Sequence, residues 1–390
     1  MACREEDIPE VGDVHVYDIV GHSLLVTRSA PDRIRAYHNV CLHRGRKLCD
    51  ASGHYSQFRC GFHGFTWDLD GRIARLPCRW DFTHLADDEL TLPEAQVATW
   101  GGFVFVNMDP QASPLDKYLG VLPAHFRAWR LEERYKAAHV AKRIRCNWKV
   151  AQEAFMESFH VIATHPQILG VIADANAQYD ICGEHVNRNL AAFAAPSPHL
   201  GHQPPDEAEI ARGMLEMYGH PEALAALRRE FPDADARTLV GELNRRALGQ
   251  ADGRDYSQVS DAELLDALVY NVFPNFAPWG GVAPNIVYRW RPDGRDVNAC
   301  VMEVMFLRPI PAGRPRPAPA TLRWLDDDAP WASAPELPVL GPVIDQDMGN
   351  MAAVQEGLIA SANGKVQLAS YQESRIRHFH RTLDRYLADA

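Results

Sequence analysis

Two short pairs of metal-ligating residues lie close together in the N-terminal part of the chain. They are Cys41-x-His43 and, sixteen residues later, Cys60-x-x-His63, so each pair contains one thiol and one imidazole. Zinc and iron–sulfur centres both accept two cysteines and two histidines. Zinc sites usually group like ligands, as C-x₂₋₄-C followed by H-x₃₋₅-H. The mixed pairs therefore favour an iron–sulfur centre in which one iron carries two thiolates and the other carries two imidazoles.

The complete pattern, C-x-H-x₁₆-C-x-x-H, resembles the Rieske family. Respiratory-chain Rieske proteins carry an additional disulfide-forming cysteine in each loop, and the corresponding residues here are Arg46 and Phe62. The resemblance is therefore to the ferredoxin and oxygenase branch. It implies a [2Fe–2S] cluster on these four ligands, which serves as a one-electron relay. Cys49 and Cys78 lie near the motif and are expected to be free thiols with packing roles.

A second group of possible ligands lies in the apolar segment "NWKVAQEAFMESFHVIATHP", residues 147–166. On a continuous helix, Glu153, Glu157 and His160 share one face, whereas His165 points about 140° away from His160. The two histidines can share a metal only if the helix distorts or ends between them, which Pro166 favours. From this segment alone, two histidines with polar partners in a cleft remain an alternative.

An electron relay needs an acceptor, and two histidines with one carboxylate are the usual ligands of O₂-activating non-heme iron. With the Rieske motif upstream, residues 147–165 resemble the iron-binding stretch of Rieske non-heme iron ring-hydroxylating oxygenase α subunits. In that family the third ligand is an aspartate on a late helix. The segment "IDQDMGNMAAVQEGL" matches it, and the spacing to Met351 selects Asp347. The alternative, Asp345, is expected to interact with the helix dipole.

The resemblance also implies a role for Glu157. In the family, the cluster of one subunit serves the iron of its neighbour through an acid that is hydrogen-bonded between a cluster histidine and an iron histidine. Glu157 occupies this position, between His63 and His160, and is assigned as the catalytic residue. Most ring-hydroxylating members have Asp here, whereas members similar to carnitine oxygenases also have Glu. The alternative is a helix-surface acid without a partner, and Glu153 is expected to have a structural hydrogen-bonding role.

Substrate contacts are harder to predict, because an apolar residue at helical spacing is more often part of the core. Phe155 and Asn275 are the candidates for substrate binding, with packing as the alternative for each. His378 and His380 in "RHFHRTL" are expected to be surface residues of a C-terminal helix.

The chain reads as two domains, residues 1–112 and 113–390. The first contains short β-type runs separated by Gly, Asp and Asn turns, and helix signals begin after it. In the second, "AAHVAKRIRC" precedes the opening helix, and a turn near residues 292–294 separates two further strands. The predicted fold class is α+β. It comprises an N-terminal antiparallel β Rieske domain and, by resemblance, a helix-grip (START-like) catalytic domain with an antiparallel sheet.

Composition excludes several classes of protein. With 390 residues, 46% of them hydrophobic, the chain can bury a sizeable core, and a net charge of −11 argues against nucleic-acid or anionic-membrane partners. Because no apolar run approaches the roughly 20 residues of a membrane span and the N-terminus is charged, we expect a cytoplasmic protein. Eight cysteines are too few for a disulfide scaffold. Family members usually carry additional residues before the Rieske domain, so Met1 is expected to be internal to a longer natural chain.

Together these features predict an O₂-dependent oxygenase with a Rieske [2Fe–2S] cluster and mononuclear Fe(II), dioxygenating an aromatic or polycyclic compound. One alternative is a monooxygenase that removes N- or O-methyl groups or acts on a quaternary ammonium substrate. An electron-transfer protein without oxygen chemistry is the alternative from another class. The sequence contains no G-x-G-x-x-G, so a separate ferredoxin or flavin reductase is expected to supply electrons. The resemblance implies a homotrimer (α₃), or an α₃β₃ assembly with a second subunit.

Overall fold

The computed structural model describes residues 1–283 and 285–388. The chain forms two compact units, Met1–Tyr118 and Leu119–Ala390, which divide within a short helix, α1 (Leu115–Leu119). The predicted domain boundary, between residues 112 and 113, lies shortly before this helix.

The first unit is an antiparallel β structure. Seven of its strands form a sheet in the order β1-β10-β9-β4-β3-β2-β5, and β6, β7 and β8 form a second, smaller sheet. The strands are β1 (Cys3–Arg4), β2 (Asp13–Ile19), β3 (His22–Ala30), β4 (Arg33–His38), β5 (Gly53–His54), β6 (Phe58–Arg59), β7 (Thr66–Trp67), β8 (Ile73–Arg75), β9 (Glu94–Trp100) and β10 (Phe103–Asn107).

Strand alternation in β3 divides the core of this unit between two hydrophobic clusters. Leu24 and Val26 point into one cluster, whereas Leu25, between them, points into the other. The second cluster also contains Cys41 and Cys60, both almost fully buried. The β sheets therefore provide the rigid base for the two loops that carry the Cys/His pairs.

The second unit is built on a sheet of eight strands in the order β12-β13-β14-β15-β16-β17-β11-β18. The strands are β11 (Arg134–Ile144), β12 (Gln178–Ile181), β13 (Val186–Ala191), β14 (Ala267–Val272), β15 (Phe276–Pro278), β16 (Ile286–Asp293), β17 (Asp296–Pro309) and β18 (Arg323–Trp324). β16 and β17 are joined as a tight hairpin, because Asp293 pairs with Asp296 and Gly294 adopts a positive φ of 54°. The predicted strand before the opening helix is β11.

The helices of this unit are α2 (Leu122–His125), α3 (Trp148–Glu153), α4 (Val161–Thr164), α5 (Glu207–Met217), α6 (Leu224–Glu230), α7 (Ala236–Asp252), α8 (Asp261–Leu265), α9 (Leu340–Ala360) and α10 (Ser374–Ala388). Helix α9 packs its Ile344 and Met351 into the same core as Tyr288 and Trp290 of β16 and Met302 of β17. A long helix thus lies on one face of the sheet, as the predicted helix-grip architecture requires. The sheet is antiparallel, as predicted, except that β18 pairs with β11 in parallel. Among the described helices, none is long and apolar enough to cross a membrane.

Candidate metal centres

The two Cys/His pairs of the β unit lie on loops with the same backbone conformation. In the first loop the Cys41 amide donates to the Arg46 carbonyl at 2.8 Å, and the Gly45 amide donates back to the Cys41 carbonyl at 3.0 Å. The second loop repeats this arrangement from Cys60 to Phe65, with distances of 2.8 and 3.1 Å. Gly45 and Gly64, the fifth residue of each loop, have φ of 77° and 78°, a conformation that favours glycine.

The side chains of these loops fit an iron–sulfur cluster. Cys41 and Cys60 lie close enough to hydrogen-bond through their thiols, and the rings of His43 and His63 have centroids 4.5 Å apart. His43 Nδ1 is buried and has no hydrogen-bond partner among the described residues, as expected for a nitrogen reserved for metal. Burial opposes ionisation of Cys60, but the amides of Phe62 and His63 and the Cys41 thiol lower the pKa of its thiol. We propose these four residues as the cluster ligands.

The segment around the candidate iron ligands is not one continuous helix. Helix α3 ends at Glu153, and the next helical turn, α4, begins at Val161. The prediction that Glu153, Glu157 and His160 share a single helix face is therefore wrong. A break precedes His160, and the four-residue α4 then ends at Thr164, between the two histidines, as a shared metal requires. His165 leaves the helical conformation, with φ of −126° and ψ of 50°, so the 140° separation of a continuous helix does not apply.

A buried polar network stabilises this break. The Ser158 amide donates to the Tyr179 hydroxyl at 3.0 Å, and Arg375 Nη1 donates to the Met156 carbonyl at 3.1 Å. Arg375 Nε also donates to Asn187 Oδ1 at 2.7 Å. The guanidinium is fully buried, and burial lowers the pKa of Arg375 to about 9. Tyr179 of β12 and Arg375 of α10 thus pair with backbone groups that a continuous helix would have paired internally, and Asn187 of β13 holds the Arg375 guanidinium.

Replacing Arg375 by methionine is expected to destabilise the second unit by about 2–4 kcal/mol, because two buried acceptors, the Met156 carbonyl and Asn187 Oδ1, lose their donor. Urea unfolding followed by circular dichroism measures the change. Arg381→Met is the matched control, since Arg381 is exposed on the same helix. Equal stability of the two variants would contradict a structural role for Arg375.

Three side chains meet as a potential metal site in the second unit. One ligand atom from each of His160, His165 and Asp347 lies within 4.8 Å of the others. Asp347 Oδ1 is 2.8 Å from His165 Nε2 and 3.4 Å from His160 Nε2. Asp345 lies elsewhere, because its carboxylate accepts hydrogen bonds from the amides of Trp331 and Ala332. Two imidazoles and one carboxylate on one side of a centre fit mononuclear iron with open coordination positions.

Glu157 folds back onto His160. Its Oε1 lies 2.7 Å from His160 Nδ1, and its Oε2 accepts from the His160 amide at 2.8 Å. Burial alone would lower the pKa of His160, but hydrogen bonds to Asp347 and Glu157 outweigh it and raise the pKa to about 10. Burial alone would raise the pKa of the Asp347 carboxyl, but hydrogen bonds from His160 and His165 lower it. The site is thus electrostatically suited to a cation.

In protein stripped of metal, this raised pKa means that His160 holds a proton that a metal must displace at neutral pH. The apparent affinity for a divalent metal is therefore expected to rise about tenfold per pH unit below pH 10. The contribution of this proton to the stability of the metal-free fold changes with pH in the opposite direction to the metal affinity. It is complete below the ordinary histidine pKa of about 6.5 and is lost as the pH rises towards 10. Anaerobic Co²⁺ titrations between pH 6.5 and 8.5 measure the slope, and a pH-independent affinity would contradict the assignment.

The remaining predicted residues have other contacts. Glu153 accepts from His380 Nε2 at 2.7 Å, consistent with a structural role. Asn275 is buried and donates to the Trp290 carbonyl at 2.6 Å, which holds β15 to β16 and leaves its substrate role a prediction. Phe155 packs 4.9 Å from Tyr288 and 5.2 Å from Trp290, measured between ring centroids.

Sequence reasoning missed the residues that support the ligands from distant parts of the chain. Gln346 Oε1 lies 2.8 Å from His165 Nδ1. His378, expected at the surface, is buried and donates from Nε2 to the Gly183 carbonyl at 3.0 Å. Arg375 also went unnoticed, although its spacing from Phe379 and Thr382 places it on the apolar face of α10. A charged residue on the apolar face of an amphipathic helix is unusual, and this was the signal that could have identified Arg375.

Comparison with known families agrees with this geometry. Residues 1–86 match the model of the Rieske [2Fe–2S] domain, and residues 124–389 match that of the ring-hydroxylating α subunit, catalytic domain. The chain belongs to the family of ring-hydroxylating oxygenase α subunits, which combine a Rieske [2Fe–2S] domain with a catalytic domain that binds mononuclear iron. The predicted family, fold class and two cofactors are confirmed. The individual ligands remain proposals from the geometry above.

Individual relatives include enzymes of different chemistry. The chain is 30% identical over 179 residues to a glycine betaine monooxygenase oxygenase subunit of Pseudomonas aeruginosa, covering 45% of this chain and 40% of that protein. It is 31% identical over 178 residues to a biphenyl 2,3-dioxygenase subunit alpha of Rhodococcus jostii, covering 44% and 38%. These matches span less than half the length of the relatives.

The fold also resembles a solved structure. The chain superposes with a TM-score of 0.65 on a quaternary ammonium Rieske monooxygenase. That structure is described in connection with carnitine oxidation and inter-subunit electron transfer. The alignment covers 99% of this chain and 88% of that one at 15% sequence identity.

Proposed function

We propose that this chain is the oxygenase subunit of a Rieske monooxygenase that acts on a quaternary ammonium or N-methylated compound. The observation that carries this proposal is Glu157, the longer acid at the position that supports the iron histidine, folded back onto His160 by two hydrogen bonds. The name of the glycine betaine relative supports the same substrate class. The proposal replaces the aromatic dioxygenase predicted from the sequence with the alternative, a monooxygenase of N-methylated or quaternary ammonium compounds.

The second unit supplies the features that such a reaction needs. Iron held by His160, His165 and Asp347 would supply O₂ activation, with one oxygen atom entering a substrate C–H bond and the other leaving as water. The overall reaction consumes two electrons and two protons. Glu157 fixes the hydrogen on His160 Nδ1, so that Nε2 presents its lone pair to the metal.

Buried aromatic side chains pack near this site, and we propose that they face a cationic substrate. Besides the contacts of Phe155, the rings of Tyr288 and Trp290 lie 5.6 Å apart, and those of Trp279 and Tyr288 lie 6.3 Å apart. Tyr288 is close enough to the iron ligands that its burial and the Asp347 carboxylate raise the pKa of its hydroxyl. Aromatic faces attract quaternary ammonium groups, and desolvation strengthens this attraction.

The same rings would also accept a planar hydrocarbon, and the biphenyl relative favours this second candidate. Oxygen uptake by the reconstituted protein should be compared with glycine betaine, carnitine and biphenyl as substrates. Formaldehyde release or hydroxylation that depends on an ammonium compound supports our proposal. Conversion of biphenyl to a cis-dihydrodiol, without turnover of the ammonium compounds, would establish the second candidate instead.

We also propose that the electrons come from a separate ferredoxin or flavin reductase, and that the oxygenase assembles as a homotrimer, with or without a β subunit. Each unit exposes an apolar side chain beside its metal site. Phe62, next to His63, is 54% exposed, and Phe159, next to His160, is 44% exposed. Exposed aromatic side chains beside functional residues are typical of interfaces. Light scattering of the purified protein measures the number of subunits. Cytoplasmic localisation remains a prediction.

A further inference from the structure

The two candidate iron histidines are held by chemically different groups. His160 Nδ1 faces a carboxylate, Glu157 Oε1, at 2.7 Å, whereas His165 Nδ1 faces a neutral amide, Gln346 Oε1, at 2.8 Å. Both rings direct Nε2 towards Asp347 Oδ1. The hydrogen-bond partner of the ring nitrogen that does not bind the metal selects the tautomer and the orientation of a metal-ligating histidine.

Gln346 and Asp347 are consecutive residues of α9 that contact opposite nitrogens of the same ring. Asp347 Oδ1 lies 2.8 Å from His165 Nε2, while Gln346 Oε1 lies 2.8 Å from Nδ1. Because the His165 ring is almost fully buried between them, two adjacent positions of one helix determine how it points.

The amide of Gln346 is itself held by a second glutamine. Gln167 Nε2 donates to Gln346 Oε1 at 2.7 Å, and Gln346 Nε2 lies 3.4 Å from Gln167 Oε1. Gln167 belongs to the short 3₁₀ helix Pro166–Ile168, directly after His165. The amide pair therefore connects the segment that follows His165 to the helix that carries Asp347.

The amide of Gln346 affects the electron density of the His165 ring. When Nε2 binds a metal, Nδ1 must carry the hydrogen, and Gln346 Oε1 then accepts it. A neutral amide withdraws this hydrogen less strongly than a carboxylate does, so His165 is the less electron-rich of the two imidazoles. Gln346 is exposed, but His165 is almost fully buried, so an apolar residue at 346 would remove the acceptor of this N–H and the group that orients the ring.

We propose that Gln346 is a positioning residue that sets the metal-binding tautomer and orientation of His165, with Gln167 holding its amide in place. Gln346 is not itself a ligand. The inference rests on the iron ligand set in the proposed function, because it requires that His165 bind metal through Nε2.

The test is anaerobic Co²⁺ titration of protein depleted of mononuclear metal, followed by the visible absorption bands of the bound ion. Gln346→Leu is expected to weaken Co²⁺ binding about 10- to 100-fold, the usual cost of losing a partner of a ligating histidine. Gln346→Glu keeps an acceptor, so it should bind within a few-fold of the parent and shift the absorption bands. Gln167→Leu should have a smaller effect than Gln346→Leu.

Gln258→Leu is the control, because Gln258 is exposed and its amide contacts Ser257 Oγ at 3.5 Å. Circular dichroism and the cluster spectrum report whether each variant is folded. Parent-like affinity in Gln346→Leu, or an equal loss in Gln346→Glu and Gln346→Leu, would overturn the inference. A His165→Ala variant distinguishes failure of the proposed ligand set from failure of the proposed role of Gln346. If it binds Co²⁺ normally, the ligand set itself is wrong. If it binds weakly while Gln346→Leu does not, only the role of Gln346 fails.

Discussion

Replacing His160 by alanine is expected to remove the mononuclear iron, retain the [2Fe–2S] cluster and reduce substrate-dependent oxygen uptake by roughly 10³-fold or more. A metal ion contributes several kcal/mol to catalysis, and each 1.4 kcal/mol corresponds to a factor of ten in rate. The site has three candidate ligands, so removing one leaves only His165 and Asp347. The cluster loops belong to the other compact unit and should be unaffected.

Iron content per subunit, the visible spectrum of the cluster and oxygen uptake measure these three effects. His202→Ala is the control, because His202 is an exposed histidine outside the candidate metal site. If His160→Ala kept its mononuclear iron and its oxygen uptake, the assigned iron site would be wrong. If oxygen uptake were absent from the parent protein with every substrate and reductant, the electron-transfer alternative would gain support.

Replacing Glu157 by glutamine is expected to slow electron transfer from the cluster to the iron and to reduce activity about 10- to 100-fold, the usual loss of activity when the partner of a ligating histidine is changed. The amide removes the negative charge beside His160. It also places an NH₂ group against either His160 Nδ1 or the His160 backbone amide, because Glu157 uses one oxygen for each. Iron should still bind at saturating concentration, since all three proposed ligands remain.

Rapid mixing of the reduced protein with O₂, followed by the cluster absorption, measures this rate directly. Glu157→Asp is the informative companion variant, because it keeps the charge and shortens the side chain by one methylene. If Glu157→Gln reoxidised its cluster at the parent rate, Glu157 would have no part in electron transfer. A parent-like rate in Glu157→Asp would assign the effect of Glu157→Gln to the charge, whereas an equal loss in both variants would mean that the charge and the side-chain length are both required.

The cluster loops were predictable because their chemistry is local. Each loop contains its own cysteine, histidine and turn glycine within a few residues, so spacing carries most of the information. The hairpin between β16 and β17 was predictable for the same reason, since Gly294 marks its turn. The choice of Asp347 over Asp345 depended on resemblance, and Asp345 instead binds the amides of Trp331 and Ala332.

The position of the helix break was not predictable, because the groups that stabilise it come from elsewhere in the sequence. Arg375, which binds the Met156 carbonyl, lies 219 positions away from it. Apolar periodicity in residues 147–166 favours one continuous helix, and tertiary hydrogen bonds at Met156 and Ser158 stabilise the interrupted conformation instead. The supporting contact between Gln346 and His165 is equally non-local, and a glutamine in a helix carries no signal of its own.

The short helix α4 explains why the site is expected to discriminate little among divalent metals. Its four residues make His160 and His165 a chelating pair whose bite is set by one turn of backbone, with ring centroids 5.2 Å apart. A rigid bite loses little entropy when an ion is captured, so it strengthens the binding of any divalent ion that accepts two imidazoles and a carboxylate. Cobalt, nickel or zinc should therefore compete with iron at this site. The metal found in the purified protein will reflect which ion the cell supplies.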